Sequence, residues 1–318
     1  MPYDPNLIVT FDNRGEVMRD LRMRDWPMHV VSAASIVDLA NMYHAGRLGY
    51  SAADVMRATS DAVATILQHM GRMAQPVAPV PAAPPLSHYR TPLVIQIASL
   101  GHAIMLVGPA GCGKTTIGEH VAAALDLQFY ITNAINDTHE LMGFVDGYGK
   151  YHSTPFRIAF ERGGVWIADE IDAWDGSVLL AANSALANGF ASFPDSQKPV
   201  VRHPDFRMVA TANTFGSGAD RVYVGRNELD AASLDRFAVL TVDYDLTLER
   251  MFAGQHDRWL ERVWNVRKSV MDKKIRHVVS SRAISMGAAA LSAGIDWDVC
   301  EDIYLFKGLS KSDRGKVA

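Results

Sequence analysis

From about residue 90 onward, short apolar runs alternate with stretches of helical spacing. The runs are Ala103–Val107, Gln128–Thr132, Gly164–Ala168, Arg207–Ala212 and Ala238–Val242. Each is strand length, and mostly apolar runs of that length suit strands covered on both faces. Strands separated by helical segments imply a mostly parallel sheet, because a crossover helix carries the chain back to the end of the sheet where the previous strand began. The expectation is an α/β fold: a parallel five-stranded sheet with helices on both faces. After Asp245 the strand pattern stops. Leu248–Val270, Ser281–Leu291 and Trp297–Lys307 have helical spacing and predict a helical lid, and the tail from Lys311 reads as a frayed end.

The first 90 residues follow a different pattern. Ile36, Val37, Leu39, Ala40 and Tyr43 fit one helix face, with Gly46 as its stop. Ser51 opens a second helix with Asp54 three residues on, much like a capping box. Its stripe of Val55, Met56, Val63, Ile66, Leu67 and Met70 is explained more simply by core packing than by a ligand site. Gln75–Leu86 is rich in proline and alanine, which excludes a helix or a central strand and favours extended backbone. The predicted domains are a helical N-terminal domain (1–74), a linker (75–90), an α/β domain (91–245) and a helical lid (246–318). The linker is either a tether for a partner-docking module or an arm packed on the main domain, and its composition leaves both open.

Composition narrows the class only a little. The chain of 318 residues has a net charge of -4, which does not advertise a nucleic-acid binder. Two cysteines, Cys112 and Cys300, cannot make a disulfide framework and suit a reducing compartment. No run approaches the ~18 apolar residues of a membrane span, and the N-terminus has no signal-peptide pattern. A soluble, cytoplasmic protein is expected, without a membrane partner.

The first apolar run leads into Gly108, Pro109, Ala110, Gly111, Cys112, Gly113, Lys114, Thr115 and Thr116. A glycine, four residues, then glycine-lysine-hydroxyl is the pattern of a phosphate-binding loop. Glycines let consecutive backbone N–H groups turn towards phosphate oxygens, and the helix that follows adds its positive end. Lys114 would reach the β- and γ-phosphates, and the Thr115 hydroxyl would ligate Mg²⁺. Cys112 is most simply a small filler. Val165–Glu170 then ends a buried strand in two carboxylates, at the end where open α/β sheets bind ligands. Asp169 would hold Mg²⁺, and Glu170 would polarise the water that attacks the γ-phosphate. Phe206–Asn213 reads as another buried strand ending in a polar residue, and Asn213 at its tip either positions that water or the γ-phosphate or simply begins a turn. Arg236, in Leu234–Phe237, would reach a neighbouring subunit's phosphates, unless it only pairs with Asp235 or Glu228. Arg221 and Arg226 are rivals for that role. Arg282 near the start of a lid helix would either reach back to the γ-phosphate or lie on the surface.

In this order and spacing, the features resemble the AAA+ ATPase family over about residues 90 to 310. The glycine loop, the Asp169–Glu170 pair, Asn213, Arg236 and Arg282 match its Walker A, Walker B, sensor 1, arginine finger and sensor 2. Glu140–Gly149, the stretch from Leu186 to Asn213 and the run Glu228–Phe237 look like the MoxR-type branch. That branch includes the ATPase subunits of magnesium and cobalt chelatases, and the likeness is greatest to the cobalt enzyme's subunit and its phage relatives. The resemblance implies ATP and Mg²⁺, a homo-oligomeric ring (usually six subunits) and a protein client. A separate von Willebrand factor A-type protein is one such client, since this chain has no such domain. It also implies hairpin inserts at Gly143–Lys150 and Phe190–Pro204 that face a central pore, with Phe144 and Tyr148 as pore contacts unless they are packed in a loop. A nucleic-acid motor gripping phosphates with Lys150 and Lys198, a chelatase subunit and a nucleotide-gated scaffold are the alternatives.

Overall fold

The computed structural model describes residues 81–196, 198–219 and 222–317, together with Val17. The chain divides into two units, Met1–Pro79 and Val80–Ala318. The helices expected before residue 75, the start of the linker and Arg221 lie outside the described residues.

In the second unit the chain runs through α1 (Thr91–Ser99), β1 (Ile104–Val107), α2 (Lys114–Ala124), β2 (Phe129–Thr132) and α3 (Thr138–Met142). A hairpin of β3 (Phe144–Val145) and β4 (Tyr151–His152) precedes α4 (Pro155–Arg162) and β5 (Gly164–Ala168). After α5 (Gly176–Asn188) comes a second hairpin, β6 (Phe190–Ala191) and β7 (Val200–Val201). Then follow β8 (Phe206–Ala212), α6 (Ala231–Leu234) and β9 (Ala238–Thr241). The main sheet has the order β2-β5-β8-β1-β9, and every neighbouring pair is parallel.

The five expected strands are therefore these five, to within a residue or two at the ends. The pleat explains why they are apolar throughout. Ile104, Leu106, Val165, Ile167 and Val209 face one side and pack with Val94, Ile95, Ile117 and Val121 of α1 and α2. Met105, Val107, Trp166, Ala168, Met208 and Ala210 face the other and pack with Phe156, Phe160, Val178 and Leu179 of α4 and α5. Because successive side chains alternate faces, a sheet covered on both sides needs an apolar residue at nearly every position. Residues at the end of the linker pack here too: Ala83 joins the α1–α2 side, and buried His88 sets its Nε2 2.8 Å from the Asp243 carbonyl.

The lid consists of α7 (Leu246–Ala253), α8 (Asp257–Asp272), α9 (Ser281–Ser292), α10 (Trp297–Cys300), a π turn (Glu301–Leu305) and α11 (Lys311–Val317). Three sequence expectations are corrected. Leu248–Val270 is two helices, because the chain turns at Gly254 with φ 56. Trp297–Lys307 is one α-turn that widens into the π turn. The tail is not frayed: Val317 is buried in the lid core, which holds α11 in place. No helix among the described residues is long and apolar enough to cross a membrane.

One buried carboxylate ties the lid helices together. Glu249 of α7 is 1% exposed and accepts from Arg267 of α8 twice, at 2.6 and 3.0 Å. It also accepts from Trp264 Nε1 and Ser281 Oγ, both at 2.7 Å. Removing the carboxylate would strand a mostly buried guanidinium. Glu249→Ala is therefore expected to cost about 3–5 kcal/mol, read as a lower denaturant midpoint. An unchanged midpoint would show that the ion pair contributes nothing net.

Candidate functional site

The phosphate-loop residues leave the C-terminal end of β1 and turn into α2. Gly113 caps the helix at φ 98, and Gly111 has φ 72, both in the region that favours glycine. Gly108 is required for another reason: a Cβ there would lie 1.8 Å from the Val242 carbonyl oxygen. Lys114 is 8% exposed and curls back over the loop. Its Nζ donates to the carbonyls of Gly108 (2.8 Å) and Pro109 (3.0 Å) and to Asn213 Oδ1 (3.0 Å). Burial pushes the Lys114 ammonium below its ordinary pKa, and the carboxylates of Asp169, Asp172 and Glu170 oppose that shift. Cys112 is buried against the Val242 carbonyl, and burial raises its thiol pKa, so it is a packing residue.

The order β2-β5-β8-β1 brings the ends of β5 and β8 beside this loop. Thr115 Oγ1 donates to Asp169 Oδ1 at 3.1 Å, and Thr211 Oγ1 donates to the same oxygen at 2.6 Å. The Glu170 N–H donates to Thr211 Oγ1 at 3.0 Å, which holds Glu170 in a left-handed conformation (φ 52, ψ 44). Asn213 bridges the site. Its Oδ1 takes the Lys114 ammonium, and its Nδ2 lies 3.4 Å from Glu170 Oε1. One hydrogen-bonded chain thus runs from the lysine to the glutamate.

These groups line a cleft of about 280 Å³ between the sheet and the lid. The lid contributes Leu248, Phe252, Ser281, Arg282 and Ser285, and the end of the linker contributes Leu86 and His88. Arg282 is thus in the cleft. Arg236 is not. It precedes β9, whose first residue pairs with Ile104 at the far end of β1 from the loop. It is exposed, its Nη1 donates to the Ala232 carbonyl, and among the described residues no carboxylate pairs with it.

Several residues of the site went unread in the sequence. Thr211 looked like one more residue of a buried strand. Asp172 is fully buried, and its Oδ2 accepts the N–H groups of Asn213 and Thr214 and the Thr214 hydroxyl, each at 3.0 Å. Its one sequence signal is an acid two positions after Glu170. Ala110 is held from both sides, donating its N–H to Tyr223 Oη at 2.9 Å and accepting from Tyr244 Oη at 3.2 Å. Burial pushes the Tyr244 phenol well above its ordinary value, so it stays a donor.

Residues 103–237 match the family model of the AAA domain, dynein-related subfamily. That stretch, from β1 to the residue before β9, is an AAA domain. The chain's relatives agree with that. It is 32% identical to Midasin of Dictyostelium discoideum over 158 residues, 46% of this chain and 2% of that protein. It is 25% identical to the gas vesicle ATPase GvpN2 of Halobacterium salinarum over 252 residues, 68% of this chain and 71% of that one. It is 30% identical to the aerobic cobaltochelatase subunit CobS of a Sinorhizobium species over 153 residues, 43% of this chain and 45% of that one. Less than half of the cobaltochelatase subunit is therefore spanned.

Proposed function

We propose that this protein is a Mg²⁺-dependent ATPase of the MoxR type that assembles into a ring and uses hydrolysis to remodel a protein partner. The hydrogen-bonded chain Lys114–Asn213–Glu170 carries the reading, because it sets a cation for phosphate beside a base for water. A phosphate arriving in the loop would draw Lys114 from the carbonyls of Gly108 and Pro109, since a charged oxygen is the stronger acceptor. The donor set suits a hard cation: Thr115 and Asp169 already share a hydrogen bond and would hold Mg²⁺. When bound, the ion neutralises charge on the β- and γ-phosphates. Glu170 takes a proton from the water as its oxygen attacks the γ-phosphorus and the bond to ADP breaks. Asn213 keeps the base and Lys114 in register.

Arg236 supports assembly, since it is exposed and stands outside its own cleft. Tyr148 supports a protein client. It sits in the β3–β4 hairpin and is 98% exposed, free to touch another chain. Phosphate release and sedimentation test the proposal together. Expected is turnover that requires Mg²⁺ and a larger particle with ATP than without. A monomer that hydrolyses at the same rate per chain at every concentration would overturn the ring. The 30% identity to the cobaltochelatase subunit favours one second reading, an ATPase subunit of a metal chelatase. Stimulation by large chelatase subunits and not by other proteins would select it.

A further inference from the structure

We propose that Arg226 is a positioning residue that holds Glu170 in a resting pose, and that the loop carrying it senses the phosphate loop through Tyr223. The inference rests on reading Glu170 as the base. Sequence spacing made Arg226 a rival for a role across a subunit boundary. The structure instead sets it on its own chain's glutamate. Its Nη2 lies 3.2 Å from Glu170 Oε1, and its Nη1 donates to Oε2 at 3.3 Å. Both carboxylate oxygens are engaged, and Asn213 Nδ2 approaches Oε1 as well. Three donors thus occupy most of the roughly four lone-pair sites of the carboxylate, and a water must displace one of them to be drawn onto the base in line with phosphate.

The clamp is anchored on one side only. Arg226 Nη1 also donates to Asp172 Oδ1 at 3.3 Å, and the other oxygen of Asp172 is already held by three donors. Asn227 fastens the same stretch of chain, donating its N–H to the Asp172 carbonyl at 2.6 Å and its Nδ2 to the Trp174 carbonyl at 2.8 Å. The Arg226 side chain is accordingly 12% exposed, whereas that of Glu170 is 47% exposed. Glu170 is the partner free to move. Three residues before Arg226, Tyr223 accepts the Ala110 N–H inside the phosphate loop. A short segment thus touches both the loop that receives phosphate and the base that acts on it. Nucleotide entry that displaces Tyr223 would loosen Arg226 and release Glu170.

The test compares wild type, Arg226→Ala and Arg226→Lys by phosphate release, with each variant also mixed with Glu170→Gln. Expected is a turnover number raised about fivefold in Arg226→Ala, the size of a partly exposed ion pair, with KM for ATP unchanged. Arg226→Lys should fall between the two, since an ammonium cannot engage both oxygens. Mixing with Glu170→Gln should add nothing beyond dilution. Slower turnover in both variants than in wild type would overturn the clamp. Recovery of that loss on mixing would assign Arg226 to the neighbouring site. If neither wild type nor Arg226→Ala hydrolyses ATP, the hydrolysis reading fails as well. Turnover in wild type with slow variants defeats the clamp alone.

Discussion

Glu170→Gln is expected to slow phosphate release by about 10²–10⁴-fold while ATP binds within a few-fold of wild type. The amide has the size and shape of the carboxylate but cannot take a proton at the pH of the reaction. The surrounding contacts predict that binding survives. Lys114 is bonded to Asn213 and the loop carbonyls rather than to Glu170, and the Glu170 N–H that fixes the backbone to Thr211 is untouched. Phosphate release and the Kd of a fluorescent ATP analogue check the two halves separately. Turnover within twofold of wild type would remove Glu170 from the chemistry. Loss of binding together with turnover would instead mean that the carboxylate shapes the cleft.

Arg236→Ala is expected to lower turnover by about 10³-fold or more, the range known for an arginine that completes a phosphate site from outside. The reason is geometric. Arg236 stands at the opposite end of the sheet from Lys114, so it cannot act on its own cleft. If it acts, it acts on another subunit's. A mixture of Arg236→Ala with Glu170→Gln should then regain activity, because some interfaces combine an intact Glu170 with an intact Arg236. Arg226→Ala should show no such rescue. Rates that survive Arg236→Ala would show that the arginine serves the surface alone.

The five strands and the phosphate loop were legible because each is a local pattern. Strand length and apolar content mark the runs from Ala103 to Val242, and glycine spacing marks Gly108–Thr115. The two hairpins were legible only through family resemblance, since two-residue strands such as Phe144–Val145 leave almost no periodicity. The break at Gly254 was hidden by the apolar stripe running across it. The packed end of the linker at His88 was also hidden, because its partner Asp243 is 155 residues away.

By itself, then, the sequence determined that a parallel sheet presents a glycine loop, two carboxylates and an asparagine at strand ends. Those facts depend on periods of two to four residues and on fixed short spacings. The tertiary structure decided which arginine serves which carboxylate. Glu170 and Arg226 are 56 positions apart, and Lys114 and Asn213 are 99 apart. They meet because β8 inserts between β5 and β1, an order different from that of the chain. The parallel register of β9 on β1 carries Arg236 to the far end. Strand order follows from how whole faces of the sheet bury against α1, α2, α4 and α5. No short window of residues carries that information.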